Sequence, residues 1–117
     1  MGMSQEEKEK VLDRLSITKR NAHKLEIRLR FRGDEDGAAK VRAKSERLSK
    51  NIDKLLAALM TDWMGSLEVT TKSLEKVNKD ILRVIDEIKD EIDAAKKVVK
   101  ALGYLDDAIN IATKLLA

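Results

Sequence analysis

The chain has 117 residues, 38% charged and 43% hydrophobic but only 3% aromatic, with no proline, no cysteine and five glycines. Basic residues outnumber acidic ones 24 to 21, a formal net charge of +3. That length suits one domain with a single core rather than a large layered enzyme. The scarcity of turn residues argues against a barrel or sandwich of many short strands, and the missing cysteines exclude disulfides and thiolate chemistry.

Residues 1–117 are therefore expected to form one helical-bundle domain. A cysteine-free chain fits a reducing, cytoplasmic compartment. No apolar run approaches the roughly 18–20 residues needed to span a bilayer. The N-terminal stretch Glu6–Lys10 is charged and lacks the apolar segment of a secretory signal. Glu6 stands where a myristoylation pattern needs Ser or Thr.

The first helix is expected over 4–32. Ser4 and Glu7 form an S-x-x-E capping box, and Val11, Leu15, Thr18, Ala22, Leu25 and Leu29 recur at alternating spacings of four and three. Gly33 supplies a natural stop. Residues 25–32 alternate apolar and charged, which is the strand signature, but no second strand follows to pair with it. Helix is the expected state. Ile17, Ile27 and Phe31 lie off the main seam, and a fourth helix docked at the top of the bundle is expected to cover Ile27 and Phe31.

The second helix is expected over 36–64, on Val41, Ser45, Leu48, Ile52, Leu55, Leu59 and Trp63. Asp34-Glu35-Asp36 before it reads as a helix cap, since the spacing of a calcium-binding EF-hand is absent. The third is expected over 66–102, with Leu74, Val77, Ile81, Val84, Ile88, Ile92, Ala95, Val99 and Leu102 on one seam. Gly103 then separates a short fourth helix over 104–116, carrying Leu105, Ala108, Ile109, Ala112, Leu115 and Leu116 on one side. The expected fold class is all-α, an antiparallel helical bundle of three long helices plus a short C-terminal fourth helix. Helices one and two would be about 42 Å long and the fourth only about 20 Å, leaving the lower half of the bundle without a fourth member.

That uncovered half motivates the first functional expectation, a non-enzymatic scaffold or adaptor binding another protein or a second copy of itself. Its candidate interface is Met60, Trp63, Met64 and Leu67, adaptable apolar side chains of the kind interfaces favour. A homodimer would complete the four-helix cross-section.

The alternative is a basic bundle for anionic surfaces, either nucleic acid or acidic lipid. Residues 19–32 carry six basic side chains against Glu26 alone, and 38–50 carry five against Glu46 alone. The candidate anion-binding surface is Lys19, Arg20, Lys24, Arg28, Arg30, Arg32, Arg42 and Arg47. Against it, Asp86, Glu87, Asp90, Glu91 and Asp93 fall at about the height of Arg28 and Arg42 if helix three lies between helices one and two. Internal pairing would then answer much of the charge. Phe31, Trp63 and Tyr104 are too dispersed to stack bases.

No catalytic, cofactor-binding or metal-ligating set is expected. His23 is the only histidine, so neither a di-iron E-x-x-H pair nor an HExxH zinc helix can form. Neither G-x-G-x-x-G nor G-x-x-x-x-G-K-[ST] occurs. Thr18 and Ser45 on the seams read as register features able to bond a carbonyl one turn back.

Overall fold

The computed structural model describes residues 4–58, 63 and 65–116. Four α-helices make up its regular structure: α1 (Gln5–Phe31), α2 (Glu35–Ala57), α3 (Leu67–Glu87) and α4 (Glu91–Lys114). Residues 25–31 are helical, and no strand occurs among the described residues.

Local chemistry explains each boundary. Ser4 Oγ accepts from the Glu7 backbone N–H while the Glu7 carboxylate accepts from that of Ser4, so the expected capping box closes both ways. At the other end of α1, Gly33 takes a φ of +84°, and the N–H groups of Gly33 and Asp34 bond back to the carbonyls of Arg30 and Leu29. This is a Schellman stop, and it needs a residue without a Cβ at the left-handed position. Asp34 then caps α2 by accepting from the Gly37 N–H at 2.9 Å. A side chain on Gly37 would collide with that same carboxylate and with Val98 of α4. The acidic triplet is a helix start, as its sequence suggests.

The second half of the chain divides differently from the sequence-based expectation. α3 ends at Glu87 and α4 begins at Glu91, so the break falls at Ile88–Asp90 instead of Gly103. Ile88 leaves helical geometry at φ −87°, ψ 96°. Asp90 accepts from the Asp93 N–H at 2.7 Å, and the Asp93 carboxylate accepts from the Lys89 N–H at 3.2 Å. This reciprocal cap satisfies donors that a helix start leaves open. Gly103 sits within α4, where a helix tolerates glycine at a cost of about 1 kcal/mol relative to alanine. Instead of three long helices and a short one, the four span 27, 23, 21 and 24 residues. The second helix also ends earlier than position 64, at Ala57, and Leu59 lies outside the described residues.

Cross-helix contacts fix the topology. Arg14 meets Glu75, Thr18 meets Asn78, and Arg28 meets Ile85 and Ile88, so α1 and α3 run parallel. Lys44 meets Asp106 and Asn51 meets Thr113, so α2 and α4 also run parallel. α1 packs on α2 and α3, and α4 packs on the same two, while α2 and α3 lie on a diagonal and do not touch. The chain thus runs up, down, up, down, with its middle connection crossing the bundle diagonally. Trp63, on that connection, is fully buried in the core.

The core combines Val11, Leu15, Leu25 and Leu29 of α1 with Val41, Leu48 and Leu55 of α2, Leu74, Ile81 and Val84 of α3, and Ile88. α4 contributes mainly Ala94, Ala101, Ala108 and Ala112 around Leu105. Small side chains let α4 approach α1 across the second diagonal, where those helices touch. The whole measures 48 × 22 × 18 Å. No helix among the described residues is long and apolar enough to cross a membrane.

Two packing expectations fail for topological reasons. Phe31 is 82% exposed and Ile27 41%, because α4 sits diagonally opposite α1 and cannot cover α1's outward face. The expected third seam ends at Ile88: Ile92, Ala95 and Val99 point outward, since α4 starts a new helical phase at its own cap.

Candidate anion-binding edge

Of the four residues expected to form an apolar interface, the two that are described, Trp63 and Leu67, pack into or against the core. Trp63 is enclosed, with the Lys8 ammonium 5.7 Å from its ring centroid in a cation–π arrangement. Leu67 is half-buried against the core at the start of α3. Met60 and Met64 lie outside the described residues. The missing quarter that motivated a dimer there is filled, because α4 runs down to Lys114 and Leu115 reaches the corner at Gly65.

The eight residues of the expected anion-binding surface separate into two groups. Arg28 donates to the carbonyls of Ile85 at 3.3 Å and Ile88 at 3.2 Å. It supplies positive charge to the C-terminal end of α3, whose own last turn carries no basic residue. Arg30 pairs with Glu26 and Glu35, and Arg42 lies 3.7 Å from Glu46. Lys19, Arg20, Lys24, Arg32 and Arg47 form no ion pair among the described residues. The first four lie on or just beyond α1, while Arg47 lies on α2.

Arg47 belongs to a different group, distributed by helical face instead of by sequence cluster. Lys40, Lys44, Arg47, Asn51 and Lys54 follow one another at spacings of four, three, four and three along α2. That spacing places them on one edge of the helix. Contacts from two members show which edge it is. Lys44 Nζ pairs with Asp106 of α4 at 2.7 Å, and Asn51 Nδ2 donates to the Ile109 carbonyl and Thr113 Oγ1 of α4, each at 3.4 Å. Lys50 lies one step farther out. Lys40, Arg47, Lys50 and Lys54 have no carboxylate partner among the described residues.

At the lower end of this edge, Arg47, Lys50, Asn51, Lys54, Ile109 and Thr113 line a groove of roughly 320 Å3. Its lining carries three cations and no acid. A second groove of roughly 360 Å3, between α3 and α4, contains Lys76 and Lys114 but also Asp80 and Asp107. There Asp80, only 10% exposed, accepts from Lys76 at 3.0 Å and from Arg83 at 2.7 Å. The hydrogen bond to Asp80 holds the Lys76 ammonium above the usual lysine range. Tyr104, followed by the charge of Asp80, does the same for Arg83. Asp80 thus answers two cations beside the α3–α4 groove, whereas on the α2 edge only Lys44 meets a carboxylate among the described residues.

Sequence reasoning missed Lys40, Lys50, Lys54, Asn51 and Thr113. The available signal was the four-three spacing on α2, the same rhythm that identifies the apolar seams. Asp34, Glu35 and Asp36 do not gather into a metal site, and no group of three acidic or imidazole ligands does so among the described residues. His23 is exposed on α1. Comparison with known proteins finds no matching family model, no similar curated protein and no similar solved structure.

Proposed function

We propose that this chain is a non-enzymatic helical binding module that docks the phosphate backbone of double-stranded nucleic acid on the α4-facing edge of α2. The supporting observation is the row Lys40, Arg47, Lys50 and Lys54, whose positive charge meets no carboxylate within the described residues. From Lys40 to Lys54 the row extends about 21 Å at the helical rise, close to six base-pair steps of about 3.4 Å. Asn51 and Thr113 add neutral hydrogen-bonding groups between the cations. No aromatic side chain lines the groove, so binding would follow backbone charge with little sequence preference. An acidic lipid surface is a weaker fit. The large exposed hydrophobics lie on other faces, except Leu116 near the foot of the groove.

Fluorescence titration of the intact chain against a labelled DNA or RNA duplex, a single strand and anionic vesicles tests this reading. Duplex affinity should fall with salt at a log–log slope of about −3, from three to four neutralised phosphates. Replacing Lys40, Arg47, Lys50 and Lys54 by glutamine should remove that binding while leaving helicity unchanged. Absent duplex binding at low salt, tighter binding to vesicles, or full affinity in the glutamine variant would overturn the proposal.

A further inference from the structure

A second surface arises from the same chain break that defeats the expected third seam. Once α4 starts at its own cap, Ala94, Ala101, Leu105 and Ala108 turn inward. Ile92, Ala95, Val99 and Gly103, spaced three and four apart, then turn outward. Ile92 is 65% exposed and Val99 73%. A methyl group placed on Gly103 would meet nothing within 4 Å, so the position opens onto free space one helical turn from Val99. The charge flanking this apolar line changes sign along the helix. Lys96 and Lys100 accompany its N-terminal half and Asp107 its C-terminal half. None of these three forms an ion pair among the described residues.

We infer that the outward face of α4 binds a second copy of this chain, with the two α4 helices antiparallel about a two-fold axis near Ala101. This inference is independent of the nucleic-acid proposal and uses a different helix. Charge complementarity selects the occupant. An antiparallel pairing that sets Val99 opposite Gly103 of the partner subunit also brings Lys96 within one residue of Asp107 of the partner subunit. The two-fold repeats both contacts. A parallel copy would place cation beside cation and anion beside anion. The antiparallel arrangement also opposes the two helix dipoles. Val99 sits over the opposing glycine, which has no side chain, so the helices can approach closely where the apolar line crosses the axis.

Sedimentation equilibrium over a concentration series tests this on the full chain, with circular dichroism as the check on folding. The unmodified chain should associate to a dimer and no further, and Val99→Glu should be monomeric with unchanged helicity. Lys96→Glu alone and Asp107→Lys alone should each weaken association about tenfold, since each turns two attractive pairs into two repulsive ones. An equimolar mixture of those two variants should recover the dimer as a heterodimer, because every pair then again joins an ammonium to a carboxylate. A chain that stays monomeric throughout the series overturns the inference. So does a dimer indifferent to Val99→Glu, or a mixture that associates no better than its components.

Discussion

α1 with α3 and α2 with α4 are the two parallel helix pairs of the bundle, and they use their polar residues in opposite ways. Between α1 and α3 a connected set of polar contacts spans the interface, although Asn21 Nδ2 of α1 and Thr71 Oγ1 of α3 are buried without a hydrogen-bond partner among the described residues. Thr18 Oγ1 lies 2.6 Å from Asn78 Oδ1, Asn78 Nδ2 donates to the Arg14 carbonyl, Arg14 pairs with Glu75, and Arg28 caps the end of α3. Between α2 and α4 one ion pair and one amide set the register, and four cations on the same edge remain without carboxylates among the described residues. Helices of similar composition can therefore contribute very differently: the first pair uses its charge to hold the fold, and the second presents it to solvent. Charge counted along the sequence conceals this difference, because Arg28 and Arg47 look alike until their neighbours are known.

The largest expected effect lies at the buried polar contact on the engaged side. Thr18→Val leaves the Asn78 carbonyl without its donor and should destabilise the protein by about 1–3 kcal/mol in urea unfolding. Adding Asn78→Leu should recover part of that loss, because removing both partners avoids an unpaired buried group. A double variant less stable than the sum of the singles would show that packing, and not the hydrogen bond, governs this contact. A smaller effect belongs to α4. Gly103→Ala should raise stability by up to about 1 kcal/mol, as expected for a glycine inside a helix with open space above it. Destabilisation on that substitution would place a helix end at Gly103 and return the chain to three long helices and a short one.

Much of the fold is legible from the residues alone, for identifiable reasons. The α1 seam keeps its four-three rhythm without interruption from Val11 to Leu29, and all six of its members are buried. The caps at Ser4 and Asp34 and the stop at Gly33 follow from local chemistry and appear where the residues place them. The break at Ile88–Asp90 is less visible. Ile88, Ile92, Ala95 and Val99 continue the spacing of the preceding helix, and a capping aspartate looks like any other surface carboxylate. Gly103 supplies a stronger but misleading signal. The diagonal crossing between α2 and α3 leaves no periodic trace, yet it decides which helices touch. It removes α3 from contact with α2, so Asp86 and Glu87 at the end of α3 do not reach α2, where Lys40, Arg47, Lys50 and Lys54 have no carboxylate partner among the described residues. The candidate edge is a face of one helix, spaced by four and three, so a run of consecutive basic residues does not reveal it.

Unfolding of two variants side by side tests this division of charge most directly. Arg28→Met removes the donor that meets the Ile85 and Ile88 carbonyls and should lower stability by about 1–2 kcal/mol. Replacing Lys40, Arg47, Lys50 and Lys54 together by glutamine should change it by less than about 0.5 kcal/mol, or raise it slightly by relieving repulsion among like charges. A four-fold variant that loses as much stability as Arg28→Met, or more, would contradict the account, because the α2 cations would then be holding the fold together instead of standing open to a partner.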